Sequence, residues 1–322
     1  MRRPLILVLI VAFSLALNAS SAATNPALLA NQRALVLGDS ITQDGRYVTF
    51  LEYYVHRLAP GARADLISIG LGSETISGLT EPGHVYPRPN GLDRLDRALA
   101  TIKPTVVFAC YGMNDGIYHP SSPERVAAFV QGLDVLITKV RAAGAKLVLI
   151  TPPIFDPLPI PQRIAPADAT VYGYQKTFAR YDDVLAELGA AVRTRGAADI
   201  TIIDLHTAMR AALAERRQTD PAFTFAPDGV HPGDLGHLLM ARTVASGLGL
   251  QPPEATLEAE LARIQADPLF PLVRDRRALR SESWLAHIGY TRGETYRAQS
   301  VQAAERVATR LQSEIEQMAA KR

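Results

Sequence analysis

The 322 residues are 48% hydrophobic and 20% charged, which suits one large folded domain with an appendage, or two small domains, and excludes an intrinsically disordered chain. The formal net charge is +2, and Arg2 and Arg3 supply all of the excess. The remainder therefore lacks the basic footprint of a nucleic-acid binder, and an uncharged or weakly charged partner is expected.

The chain opens on Arg2-Arg3, runs apolar over 4–17 with a break only at Ser14, and then turns to Ala19-Ser20-Ser21-Ala22-Ala23. A basic start, a short apolar run and small residues make a secretory signal, so residues 1–23 are expected to be removed and the mature protein exported, to a periplasm or beyond. The run falls short of the ~20 residues that cross a bilayer. No membrane association is expected after cleavage, an uncleaved anchor being the alternative. Cys110 is the single cysteine and sits in the apolar stretch Val106-Val107-Phe108-Ala109-Cys110, which reads as a buried thiol with no internal disulfide.

Past residue 30, short apolar runs alternate with longer helical patterns. Residues 34–37, 66–69, 105–109, 146–150 and 200–204 read as strands. Between them, 46–58 place Tyr47, Phe50, Leu51, Tyr54, Val55 and Leu58 at helical spacing, and 92–102, 123–143 and 177–194 read as further helices. This alternation implies βαβ units and a five-stranded parallel sheet covered on both faces. Ligands in such sheets sit outside the carboxyl ends of the strands, so chemistry is expected just after 37, 69, 110, 150 and near 205. Residues 151–174 carry six prolines and are too long for a plain connection, which points to a functional loop. A closing helix over 233–247 ends a main domain at 24–250. Pro252-Pro253 then introduces a charged, helix-rich extension over 251–322, with a final amphipathic stretch at 299–319, expected to pack on that domain.

Polar groups fall where the sheet predicts them. Gly38-Asp39-Ser40-Ile41-Thr42 follows the first strand, where a serine can be lifted to the top of the sheet beside a helix N-terminus; a capped turn is the alternative. Gly70-Leu71-Gly72-Ser73-Glu74-Thr75 follows the second and can offer a backbone N–H. Gly112-Met113-Asn114-Asp115 follows the third; an Asn amide there can donate to a developing oxyanion, or simply cap a turn. Asp228-Gly229-Val230-His231-Pro232 precedes the closing helix, and an Asp three residues before a His can hold Nδ1 while Nε2 faces a nucleophile. His206 is a rival base, whereas His237 reads as packing. No G-x-S-x-G elbow is present, which argues against an α/β-hydrolase.

These four blocks, in this order over about residues 33–247, resemble the SGNH (GDSL) hydrolase superfamily. The resemblance implies a flavodoxin-like three-layer α/β/α sandwich and a serine esterase with Ser40, His231 and Asp228 as its triad, needing no cofactor and no metal. It also implies an oxyanion hole from the Ser40 N–H, a glycine N–H of the second block and the Asn114 side chain. One departure stands out: the family's oxyanion glycine falls on Ser73, with Gly72 one residue earlier, so either can supply the donor. Asp39, Asp115 and Tyr118 are expected to contact substrate. Polar aromatic loops bearing Tyr86, Arg88, Tyr118, His119, Tyr172 and Tyr174 suit small acyl groups on carbohydrates. The expected partner is thus a small-molecule or glycan ester. Lipase-like, thioesterase or acyltransferase chemistry on the same triad, or glycan binding without catalysis, are the alternatives.

Overall fold

The computed structural model describes residues 28–289 and 298–320; the expected signal sequence lies outside them. The five expected strands are present as β1 (Arg33–Gly38), β2 (Asp65–Ser68), β3 (Val106–Cys110), β4 (Lys146–Ile150) and β5 (Ile200–Ile203). All pair in parallel, in the order β2-β1-β3-β4-β5. That order is the flavodoxin-like one, and it reverses between β1 and β3, where a crevice opens at the strand ends.

Continuous apolar runs form these strands because both faces of the sheet are buried. Ala34 and Val36 of β1, with Val106, Phe108 and Cys110 of β3, pack in one core layer. Helix α2 (Arg46–Leu58) and helix α7 (Asp234–Gly247) cover that face with Tyr47, Phe50, Leu51, Leu238 and Ala241. Leu35, Leu37, Val107 and Ala109 point the other way, against Leu95 and Leu99 of α3 (Leu92–Ile102) and Phe129 and Leu133 of α4 (Pro123–Ala142). Three layers result. Cys110 is free and buried, in line with its apolar setting.

Two elements differ from their sequence expectation. The helix expected from 177 is α5 (Tyr181–Arg193). Its first residues are instead drawn into a loop pairing, where Thr177 donates its N–H to the Arg163 carbonyl at 2.8 Å and accepts from Ala165 N–H at 2.9 Å. Asp204 is not the last residue of β5 but the cap of an unanticipated helix, α6 (Leu205–Arg216), accepting from the Thr207 N–H at 3.3 Å. Only Leu205, His206 and Met209 of α6 are buried, so its apolar stripe is thin.

The C-terminal helices α8 (Leu257–Ala266), α9 (Leu269–Ile288) and α10 (Val301–Ala320) are bound to the sheet edge through α9. Arg280 donates to the Leu66 carbonyl at 2.8 Å and pairs with Asp65 at 2.7 Å, while Arg276 pairs with Glu52 of α2. An edge strand otherwise exposes unpaired carbonyls, and a covering helix blunts that hazard.

The parallel register sets Leu37 beside Ala109 and Gly38 beside Cys110, so β1 and β3 end level. The segments that leave the two strands therefore emerge side by side at the crevice. Gly38 makes the exit from β1 possible: a Cβ there would lie 2.2 Å from Thr42 Oγ1 and 2.8 Å from the Cys110 carbonyl. No side chain fits that gap.

Candidate active site

Ser40 is the first residue of a five-residue helix, α1 (Ser40–Asp44), which begins directly after β1. Asp39 caps it, its carboxylate accepting from the Ile41 N–H at 2.9 Å. The cap holds Ser40 at the helix N-terminus, where its own N–H has no intrahelical partner. Ser40 Oγ lies 2.8 Å from His231 Nε2, and His231 Nδ1 lies 2.7 Å from Asp228 Oδ2. The other Asp228 oxygen accepts from the Val230 and His231 N–H groups at 3.0 and 2.7 Å, so one short loop orients both base and carboxylate.

The electrostatics arise from these bonds. The hydrogen bond that the His231 ring donates to Asp228 raises the His231 pKa above its ordinary value, and burial only partly offsets it. Burial also pushes Asp228 upward, but the bonds from the His231 ring, the His231 N–H and the Val230 N–H outweigh it and hold the carboxyl below the usual range. A hydroxyl aligned on a carboxylate-held imidazole can lose its proton as it attacks an electrophile. His206 takes no part in this arrangement. It is buried in α6 with Nε2 3.8 Å from Asp182. His237 is buried too, its Nδ1 accepting the Tyr47 N–H at 3.3 Å.

Three further N–H donors border Ser40. The Gly72 N–H is already engaged, donating to Gln43 Oε1 at 2.7 Å. Ser73 stands in a turn closed by the Glu74 N–H on the Leu71 carbonyl, with φ at +64°, and its N–H has no partner among the described residues. Of the two candidates, Ser73 is therefore the one with a donor to give. Serine adopts this left-handed conformation at a cost of roughly 1–2 kcal/mol. Asn114 is buried and gives one amide N–H to the Glu74 carbonyl at 3.2 Å. Its Oδ1 accepts from Arg88 Nη1 at 3.0 Å and from the Tyr118 hydroxyl at 3.1 Å, and its second N–H is left over.

Ser40, Gly72, Ser73, Asn114, Tyr118, Asp228 and His231 all line one cleft of about 370 Å³. Two residues expected at the substrate do not reach it. Asp39 is the buried cap, and burial lifts its carboxyl pKa to about 7. Asp115 is 1% exposed and pins the next turn, accepting from the Ile76 and Ser77 N–H groups at 2.8 Å each; burial lifts it to about 6. A carboxylate beside a motif can serve the backbone rather than the ligand, and both do. Tyr86, Arg88 and Tyr174 join the lining, whereas His119 and Tyr172 do not.

Sequence reasoning passed over Gln43, His84, Val85, Arg163 and Val230, which also line the cleft. Gln43 was within reach, lying three residues after Ser40 on the same short helix. Arg163 belongs to the proline-rich loop expected to be functional. It donates to the Asp228 carbonyl at 3.3 Å and the Tyr174 carbonyl at 2.6 Å, tying that loop to the histidine loop.

The model of the GDSL-like lipase/acylhydrolase family matches residues 36–239. No curated protein matches the sequence significantly. Among solved structures, a catalytic variant of an acetylxylan esterase from Geobacillus stearothermophilus superposes with a TM-score of 0.51 at 19% identity, covering 69% of this chain and 96% of its own. A second variant, described as an acetyl-xylooligosaccharide esterase from the same organism, gives 0.52 at 18% identity, over 71% and 99%. A gut microbial diltiazem-metabolizing enzyme gives 0.48 at 21% identity over 68% of this chain, which spans only 47% of that one.

Proposed function

The chain belongs to the GDSL-like lipase/acylhydrolase family and is a carboxylic ester hydrolase, and on that premise we propose that it removes small acyl groups, acetyl foremost, from carbohydrate esters by a Ser40–His231–Asp228 mechanism. The observation that carries the proposal is the unbroken chain of short bonds from Ser40 Oγ through His231 to Asp228, open to the cleft.

Ser40 Oγ attacks the ester carbonyl while His231 Nε2 takes its proton, and Asp228 stabilises the imidazolium that forms. The negative charge on the carbonyl oxygen meets the Ser40 N–H, the Ser73 N–H and the spare Asn114 N–H, a set worth most where water is excluded. As the tetrahedral species collapses, His231 gives the proton to the departing alcohol, leaving an acyl group on Ser40. Water, deprotonated by His231, then attacks that acyl group and releases the acid.

The cleft lining supports a short acyl group on a polar carrier. Val85 and Val230 are its two aliphatic side chains, and the others are polar, charged or aromatic. A long hydrocarbon chain would find few aliphatic side chains to bury against. His84 packs against Tyr86 and Tyr174 in the cleft lining, with ring centroids 4.8 and 5.3 Å apart, a surface on which sugar rings can stack while polar tips reach hydroxyls. The fold shared with an acetylxylan esterase points the same way. Release assays on acetylated xylo-oligosaccharides, p-nitrophenyl acetate and a long-chain p-nitrophenyl ester test this. The acetyl substrates are expected to turn over at least about tenfold faster than the long-chain ester, the smaller end of pocket discrimination. Preference for the long chain overturns the carbohydrate reading and leaves the esterase.

Export is part of the same proposal, carried by Arg2-Arg3, the apolar run and the small residues before Thr24. Mass spectrometry of protein recovered outside the cytoplasm is expected to show a start at Ala23 or Thr24. An intact Met1 start there points to an anchor instead.

A further inference from the structure

In the cleft wall, at Arg88, lies a buried ion pair that the steps above do not use. Arg88 grips Glu81 through two hydrogen bonds, Nε to Oε2 and Nη2 to Oε1, both 2.6 Å, with the two side chains 2% and 1% exposed. A buried pair of this kind adds little stability over an apolar replacement, because desolvating two charges costs about what their attraction returns. Stability alone therefore does not account for it. The remaining nitrogen of the fork, Nη1, points to the cleft side, donating to Asn114 Oδ1 at 3.0 Å and to the Ser73 carbonyl at 3.4 Å.

We propose that Arg88, held by Glu81, is the positioning residue of the oxyanion site, fixing the direction of the Asn114 amide and the turn at residue 73 with one guanidinium. The proposal rests on the triad and oxyanion assignment made under the proposed function.

A guanidinium only donates. Asn114 must therefore present its oxygen to Arg88, which sends its Nδ2 group toward the Glu74 carbonyl and the cleft. Tyr118 cannot enforce this by itself. Its hydroxyl, 3.1 Å from Asn114 Oδ1, can donate to an oxygen or accept from a nitrogen, so it tolerates either orientation of the amide. Two groups of fixed polarity remove the ambiguity: the Glu74 carbonyl, which only accepts, holds the nitrogen end, and Arg88, which only donates, holds the oxygen end. Its second bond, to the Ser73 carbonyl, braces the residue that stands at φ +64° and keeps its N–H without a partner among the described residues. The guanidinium stands between the Glu81 carboxylate and the two donor residues, so its positive side faces the position where negative charge develops. Glu81 also accepts from the Tyr174 N–H at 3.3 Å, which ties the clamp to the cleft wall.

Arg88→Lys is the direct test, since a single ammonium cannot hold Glu81 bidentately and reach both Asn114 and Ser73. With p-nitrophenyl acetate, kcat is expected to fall about 10²-fold, as when one oxyanion donor is lost. The pH midpoint of kcat/KM is expected to stay near wild type, because His231 is untouched, and KM for this small ester, which brings no sugar to the cleft wall, is expected to change far less than kcat. In an Asn114→Ala background the same substitution is expected to cost far less, since residues acting through one another are not additive. Should Arg88→Lys fold poorly by circular dichroism, the charge-balanced pair Arg88→Gln with Glu81→Gln provides the same readouts. A wild-type kcat in the folded variant, with Ser40→Ala inactive, overturns the inference and leaves the triad standing. A full, multiplied loss on top of Asn114→Ala overturns it as well. Activity surviving in Ser40→Ala overturns the underlying assignment, and the inference with it.

Discussion

Replacing Ser40 by alanine is expected to lower kcat on p-nitrophenyl acetate by about 10⁶-fold, the scale on which serine hydrolases lose turnover when the nucleophile is removed. The residual rate is the part that donors and binding supply without covalent chemistry. Stability is expected to change by less than about 1 kcal/mol, the net worth of one ordinary hydrogen bond. The reason is local: among the described residues the Ser40 hydroxyl bonds only to His231, whose side chain is 47% exposed, and the cap of α1 is the Asp39 carboxylate rather than Ser40 itself. The measurement pairs steady-state kinetics with thermal unfolding of the same preparation. Turnover within tenfold of wild type removes Ser40 from the nucleophile's role. A large loss of stability alongside the lost rate would mean that the hydroxyl holds the turn instead.

The sheet was legible because parallel strands buried on both faces must be short continuous apolar runs, and 146–150 came out as β4 to the residue. Helix α6 was not, since its apolar stripe is thin and its start depends on Asp204 turning from strand to cap. The candidate site divides along a similar line. Ser40, Asn114, Asp228 and His231 stand in local blocks at strand ends or before α7, so chain order alone brought them together. Residues whose placement depends on distant partners were not separable by sequence. Arg88 read as one more polar loop residue, and only the fold brings it to Asn114, 26 positions away. Gly72 and Ser73 could not be told apart until Gln43 was seen to occupy the Gly72 N–H. Asp39 and Asp115 hold backbone N–H groups and do not line the cleft, since a carboxylate next to a catalytic-looking residue is as well suited to that as to holding a ligand.

Asp228→Asn is expected to lower kcat by about 10⁴-fold while also moving the pH midpoint of activity downward. The sign comes from the bond that raises His231. Asp228 stabilises the protonated imidazole, so the wild-type enzyme needs a pH above the ordinary 6.5 before His231 is neutral and able to take the serine proton. Activity therefore rises with pH through a value higher than that of a free histidine. Asparagine removes the charge, and the effect of burial, which favours the neutral ring, is then less opposed. Asp39 and Asp44 also favour the protonated ring and remain, so the shift stops short of a fully uncompensated histidine. The rate falls for a separate reason: an amide no longer enforces the Nδ1–H tautomer that leaves Nε2 free to accept. His231→Ala removes the base itself and is expected to cost about 10⁶-fold, abolishing the base's own titration while the buried Asp39 and Asp115 carboxyls, lifted to about 7 and about 6, remain. His237, which burial pushes down to about 4, and His206, which burial also lowers, serve as controls, because His206 sits against Asp182 and His237 against the Tyr47 N–H, away from Ser40. The profile of kcat/KM against pH for the four single variants decides the matter. A midpoint that stays at the wild-type value in Asp228→Asn, or that moves with His206→Ala, would assign the titrating base to another residue.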